Sequence, residues 1–328
     1  MPVAFITGAA GFVGSHVAET LLGNGWDLRA IRRSPGGIES PGVEWFTGDL
    51  RNPAQVKEAM SGARAVFHVA ADYRLWAKDP REIYENNVTG TINVMEAARA
   101  ARVERVVYTS SVGALGLTPD GTPADENTPV CLGDMVGHYK RSKFLAEKEV
   151  EKFVRDGLPV VFVHPSTPVG PGDHKPTPTG KILVDFLNRK MPAYLDTGLN
   201  IVDVRDVSEG HRLAFEKGTV GEKYILGNRN LTLAQIFSML EKISGVKAPT
   251  VKLPYGPILW LARFFRLVSL VTRRPPLVPY EGVKMAAKRM YFDSSKAVRE
   301  LGLPQTPVDT ALSDAVAWFG KNGYVKRR

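Results

Sequence analysis

The segment Thr7-Gly8-Ala9-Ala10-Gly11-Phe12-Val13-Gly14 constrains this chain more than any other. It follows an apolar run, Val3–Ile6, and opens an amphipathic stretch, Phe12–Gly23. Glycines spaced this way between a strand and a helix have separate tasks. Gly8 permits the tight turn, Gly11 lets a pyrophosphate approach the backbone, and Gly14 lets the helix pack closely on the strand. The helix start then presents unsatisfied N–H groups and the positive end of its dipole to the phosphates. Thr7, Gly8, Gly11, Phe12, Val13 and Gly14 are the first candidate cofactor ligands.

The rest of the first half repeats a strand-then-helix rhythm. Apolar runs at Val3–Ile6, Asp27–Ile31, Val43–Phe46, Ala65–His68, Arg105–Tyr108 and Val160–His164 read as strands. Phe12–Gly23, Ala54–Met60, Ile83–Ala100 and Tyr139–Asp156 read as the helices between them. Alternation of this kind predicts an α/β fold built on a doubly wound parallel sheet. After Pro165 the pattern breaks into Pro-, Gly- and Thr-rich loops. Ile201–Val204 and Lys223–Leu226 read as further strands, and the chain turns mostly helical from Leu231. The expected division is a dinucleotide-binding domain over 1–165 and 200–228. A smaller, mostly helical C-terminal substrate domain takes 166–199 and 229–328.

The second strand ends in Arg32-Arg33-Ser34. A site for NAD places an acidic side chain about 20 residues past the glycines, to hold the ribose hydroxyls. Guanidinium groups instead suit a 2′-phosphate, which they hold with charge-assisted pairs. The expectation is NADP(H), held by Arg33 with Arg32, and NAD(H) as the second choice.

Tyr139 and Lys143 stand one helical turn apart, on one face. A phenol is a weak base at neutral pH, and an adjacent ammonium stabilises its ionised form. Such a pair can pass a proton to or from a substrate oxygen while hydride moves at a nicotinamide. Thr109-Ser110-Ser111 ends the fifth strand, where the ligand crevice of such a sheet opens. Ser111 is expected to hold the substrate oxygen. His138 is read as a residue of the helix start rather than a second base.

Together these motifs resemble the extended short-chain dehydrogenase/reductases. The resemblance rests on Thr7-Gly8-x-x-Gly11-x-x-Gly14, Gly48-Asp49-Leu50, His68-Val69-Ala70-Ala71, Asn87-Val88-x-Gly90-Thr91, Ser110-Ser111 and Tyr139-x-x-x-Lys143. It implies an NAD(P)-binding Rossmann fold, with Ser111, Tyr139 and Lys143 catalytic and Lys143 also on the nicotinamide ribose. It further implies that Asp49 and Leu50 sit at the adenine and that Val69, Ala70 and Ala71 line the cofactor. Asn87, Ser110, Pro165 and Ser166 join that set, and a homodimer is the family expectation. Leu28–Pro35 resembles the dihydroflavonol-reductase-like branch. Phe67–Trp76, Gly137–Glu147 and Pro165–Pro171 resemble the hopanoid-associated sugar epimerase group. The stretch His164-Pro165-Ser166-Thr167 departs from the Arg-Tyr/Phe-x-Asn of nucleotide-sugar enzymes and resembles reductases of ketones, aldehydes and sterol-like substrates. The implied activity is interconversion of a carbonyl and a secondary alcohol on a small or lipid-like substrate. The alternative is a nucleotide-sugar epimerase or dehydratase that returns the hydride.

Charge adds one observation. The net charge is +9, and residues 252–328 carry 14 basic against 5 acidic residues, so the whole excess lies there. Within that region Ile258–Val271 reads as an amphipathic helix. Trp260, Leu261, Phe264, Phe265, Leu267, Val268 and Val271 fall on one broad face, and Arg263, Arg266 and Ser269 on the other. At 14 residues it is too short to span a bilayer. Residues 258–274 therefore either pack on the second domain or make peripheral contact with an anionic membrane. No nucleic-acid partner is expected. The single cysteine, Cys131, gives neither a disulfide nor a metal-ligand set. The expected place is the cytoplasm, peripheral at the inner face of the membrane if the helix docks there. Asp72-Tyr73-Arg74-Leu75-Trp76 either grips a substrate or packs as a loop.

Overall fold

A computed structural model of the chain describes residues 1–34, 42–272 and 274–326. The first half forms β1 (Val3–Thr7), α1 (Phe12–Gly23), β2 (Asp27–Arg32), β3 (Val43–Thr47), α2 (Pro53–Met60) and β4 (Ala65–His68). These are followed by α3 (Arg81–Tyr84), α4 (Gly90–Ala101), β5 (Arg105–Thr109), α5 (Gly137–Arg155) and β6 (Val160–Pro165). A π-turn, Glu85–Thr89, joins α3 to α4.

The second half adds β7 (Thr167–Val169), α6 (Pro178–Leu187), β8 (Ala193–Leu195), β9 (Gly198–Asp203), α7 (Val204–Lys217) and β10 (Lys223–Leu226). It ends with β11 (Arg229–Thr232), α8 (Leu233–Ser244), β12 (Val251–Leu253), α9 (Tyr255–Thr272), α10 (Tyr280–Met285), α11 (Ser295–Leu301) and α12 (Val308–Lys321).

Seven strands make one parallel sheet in the order β3-β2-β1-β4-β5-β6-β10. Strand order reverses between β1 and β4, so their carboxyl ends part there and open a crevice. Alternate residues of the strands feed two cores. Ala4, Ile6 and Phe67 pack with Val17 and Leu21 of α1, Ala214 of α7 and Ala297 and Leu301 of α11. Phe5, Val66 and Val106 pack with Val56 of α2, Val94 of α4 and Val150 of α5. Strands buried on both faces are nearly continuous apolar runs, which is why they were readable.

A third core joins Leu183 and Phe186 of α6, Phe237 and Leu240 of α8, and Leu312 and Phe319 of α12. It is bordered by the small sheet β7-β9-β11, and β8 pairs with β12 apart from it. This is the smaller unit expected beyond the sheet. The chain returns from it once more, because α11 packs in the first core against α7 and β10. The linear order of 229–328 does not announce that return. β9 likewise pairs within the small sheet, although 200–228 was grouped with the large one.

Candidate active site

The glycine turn is shaped for close approach. Gly8 has φ +77°, and a Cβ there would lie 2.7 Å from the Ala70 backbone nitrogen. A Cβ on Gly14 would collide with the Gly8 carbonyl. Gly11 caps α1 without a side chain, and the first turn of α1 carries no acid. The first bond of the helix runs from the Ser15 N–H to the Gly11 carbonyl, so the N–H groups of Phe12, Val13 and Gly14 belong to the unpaired helix start. A bare helix start beside a wall of Val69, Ala70 and Ala71 fits the pyrophosphate of a dinucleotide.

The Thr7 side chain does not point to a ligand. Its oxygen accepts the Ala70 N–H at 3.1 Å and lies 2.7 Å from His68 Nδ1. Thr7 therefore holds the turn in place from within the sheet.

At the far end of the crevice, β2 ends with Arg32, whose guanidinium lies 4.6 Å over the Trp45 ring. Arg33 is exposed and adds to the positive field on Asp49. Asp49, expected at the adenine, is gripped by Arg51 through bonds of 3.0 and 2.6 Å. That grip holds its carboxyl below the usual range against the opposing cost of partial burial. Leu50 packs under α4, and its carbonyl accepts from Asn93 Nδ2 at 2.8 Å. Pro35, part of the stretch that suggested the reductase branch, lies outside the described residues.

Ser111, Tyr139 and Lys143 converge at the carboxyl end of β5. Ser111 starts a short 3-10 turn, and its Oγ accepts the Gly113 N–H at 3.0 Å. The Tyr139 phenol is near enough to Ser111 for that hydroxyl to pull its pKa down. Lys143 is buried, donates to the Thr109 carbonyl at 2.7 Å and lies 5.0 Å over the Tyr108 ring. Burial pushes its pKa down to about 8, and the charge of Glu147 pulls the other way.

One sequence expectation changes here. Lys143 was to lower the Tyr139 pKa. Burial instead raises that phenol above its ordinary value, and only the Ser111 hydroxyl opposes the rise. The physical reason is that the ammonium is turned to the strand-end carbonyl.

Two residues expected at the cofactor are also bonded within the protein. The Ser110 hydroxyl donates to Glu147. Asn87 donates both amide hydrogens, at 2.9 Å, to the Asp72 carbonyl and to Ser142 Oγ. Its oxygen accepts the Asp72 N–H at 2.6 Å. Asn87 thus ties the loop after β4 to helix α5, from within the π-turn. Pro165 closes β6, and the Ser166 Oγ beyond it is buried with no partner among the described residues.

Glu147 was not recognised from sequence. It stands two helical turns after Tyr139 and one after Lys143. Its carboxylate takes His164 Nε2 at 2.9 Å and Lys223 Nζ at 2.6 Å. Burial alone would raise its pKa, but those two partners drive it far below the usual range. The i+4 spacing from Lys143 was the available signal.

In the loop after β4, Asp72 pairs with Arg74 at 2.6 Å, and Arg74 with Glu82 at 3.0 Å. Trp76 Nε1 donates to Ser269 Oγ of α9 at 3.0 Å. Packing therefore accounts for most of this loop, and Tyr73 remains its exposed ring. His138 pairs with the Tyr84 hydroxyl at 3.1 Å, as fits a residue of the helix start.

Comparison with known proteins agrees with this geometry. Residues 4–227 match the sequence profile of the NAD dependent epimerase/dehydratase family. A putative dihydroflavonol 4-reductase of Synechocystis sp. is 46% identical over 98% of this chain and 96% of its own. Sterol demethylase protein B of Methylococcus capsulatus is 34% identical over 98% and 99%. The crystal structure of gox2253 superposes with a TM-score of 0.89 at 46% identity, covering 99% of this chain and 100% of that one. The nucleotide-cradling turn, the parallel sheet and these relatives lead to one conclusion: the chain belongs to the NAD-dependent epimerase/dehydratase family of extended short-chain dehydrogenase/reductases.

Proposed function

We propose that this enzyme is an NADPH-dependent reductase that converts a carbonyl to a secondary alcohol on a small or lipid-like substrate. The observation that carries the reading is Tyr139 beside Ser111, with Lys143 on the Thr109 carbonyl, at the open end of the parallel sheet. The dinucleotide, when bound, supplies hydride. Gly8, Gly11 and Gly14 would admit its pyrophosphate, and Arg33 with Arg32 its 2′-phosphate.

The chain's own groups then do the proton chemistry. Ser111 holds the substrate oxygen. Tyr139, kept protonated by burial, gives it a proton as charge develops. Lys143, still cationic at neutral pH and held on the Thr109 carbonyl, would bind the ribose. A phenol held above its ordinary pKa suits the donor role, which is the direction carbonyl reduction needs.

Names of the relatives support the substrate class. One is named a putative dihydroflavonol 4-reductase and another a sterol demethylase protein. The resemblance to the hopanoid-associated group points the same way, toward hopanoid metabolism. The family name favours a second reading, a nucleotide-sugar epimerase using the same three residues with the hydride returned.

The test is NADPH oxidation over a panel of ring ketones, sterol ketones and aldehydes, with Tyr139→Phe alongside. Turnover should fall by about 10²-fold or more in the variant while NADPH binding survives. A variant that keeps more than about a tenth of the activity contradicts the role of Tyr139.

A further inference from the structure

Helix α9 buries one narrow stripe and exposes the rest. Ala262 and Ser269 are buried and Phe265 is half-buried, facing the body of the protein. Ser269 was expected on the polar outer face. It lies inward because its hydroxyl accepts from Trp76 and donates to the Arg274 carbonyl. The outward pole is apolar instead. Trp260, Phe264, Leu267 and Val271 follow at i, i+4, i+7 and i+11, which places them in one row. They are 71%, 60%, 64% and 86% exposed. Leu261, Val268 and Leu270 widen the row, and Leu277 beyond the helix is 82% exposed. A row of large apolar side chains in water is the kind of surface that marks an interaction site.

Charge narrows the choice of partner. Residues 242–280 contain seven Lys and Arg and not one Asp or Glu. Arg263 lies 5.5 Å from the Trp260 ring and Arg266 4.8 Å from the Tyr280 ring, so guanidinium groups flank the apolar row. A second copy of α9 would set this basic helix against an identical one, with no carboxylate on the segment to answer it. An anionic lipid surface answers both features, with acyl chains for the row and headgroup phosphates for the arginines. None of the helices among the described residues is long and apolar enough to cross a membrane, so the contact is with one leaflet.

We infer that α9 is a docking face for an anionic bilayer. The helix is about 27 Å long and would lie in the interface plane. It is tied to the catalytic half at two places. Trp76 joins it to the loop that Asn87 ties to α5. Glu281 of α10, which packs on α9, lies against Gly137 at the start of α5. The docking face is therefore carried beside the crevice. Arg273, within the segment singled out in the sequence, lies outside the described residues.

The experiment is co-sedimentation of the full chain with vesicles of phosphatidylcholine alone and of phosphatidylcholine mixed with phosphatidylglycerol. Sedimentation equilibrium without vesicles is run in parallel. Binding is expected on the mixed vesicles, weakened by salt, with a blue shift of tryptophan emission. The combined variant Trp260→Ser, Phe264→Ser, Leu267→Ser should lower the partition coefficient at least ~10-fold and abolish the shift. These side chains are exposed, so the variant is expected to fold, and an unchanged far-ultraviolet spectrum checks that. The combined variant Arg263→Gln, Arg266→Gln should reduce binding to mixed vesicles and its salt dependence together. Absence of binding to mixed vesicles overturns the inference. So does a dimer that the triple serine variant dissociates, because a second copy would then own the face.

Discussion

The Thr7 hydroxyl lies 2.7 Å from Nδ1 of His68, joining the ends of the two strands that part to form the crevice. The direction of each bond in this line is fixed by its last member. Thr91 donates to the Asn87 carbonyl at 2.6 Å, so it accepts from His68 Nε2–H at 2.9 Å. Nδ1 is then an acceptor, and Thr7 donates to it while accepting from Ala70. A single relay of neutral groups fixes the glycine turn, the wall of the crevice and the turn that carries Asn87.

That relay makes a prediction about acid. Burial drives His68 down to about 3, with the Lys143 charge adding to the effect. Burial likewise drives His211 down to about 4. Both are neutral in the fold, while the unfolded chain protonates its histidines near 6.5. Their contribution to stability is present above that value and is lost as pH falls, by about 1.4 kcal/mol per pH unit for each group. Urea unfolding between pH 7 and pH 5 measures it. A midpoint unchanged over that range contradicts the neutral relay.

Removing the donor should damage the same line. Thr7→Val keeps the shape but leaves the Ala70 N–H and His68 Nδ1 without their partner. The expected cost is about 1–3 kcal/mol in unfolding free energy. Weaker NADPH binding should accompany it, because Gly8 is positioned by that contact. Calorimetry and a binding titration on one sample check both.

Glu147 is buried against His164 and Lys223, and its charge acts on Lys143. Glu147→Gln breaks a buried ion cluster and should cost about 3 kcal/mol or more. It also removes the attraction that keeps Lys143 cationic. Burial pushes the Lys143 pKa down to about 8, so activity should fall as pH rises past that value. In the Gln variant this alkaline fall should move to lower pH. A profile that stays in place while stability drops would make Glu147 a purely structural residue.

The sheet and the gathering of Ser111, Tyr139 and Lys143 were legible because each follows from local pattern. Apolar runs gave the strands, and the i+4 spacing of Tyr139 and Lys143 gave their shared face. What escaped depends on contacts made far along the chain. Asn87 and Ser110 look like ligands in a motif, yet their partners are Asp72, Ser142 and Glu147. Ser269 looks like an outward polar residue until Trp76 is brought to it from 193 positions away. The position of α11 is set by β10 and α7, which the linear order cannot show.

The proposed preference for NADPH rests on the arginines at the end of β2. Arg33→Asp should weaken NADPH binding ~10-fold or more and leave NADH binding unchanged or improved, since a charge-assisted phosphate contact is lost. Titration of cofactor fluorescence against the native chain and the variant reads this directly.

The most direct measurement is made on the protein as purified. The bound dinucleotide is identified by mass spectrometry, and its exchange with added NADPH and NADH is followed during dialysis. The account predicts a site that prefers NADPH and releases it readily, as a reductase must after each turnover. Tightly retained NAD⁺ near one equivalent, refusing exchange, contradicts it and assigns the Ser111, Tyr139 and Lys143 machinery to epimerisation.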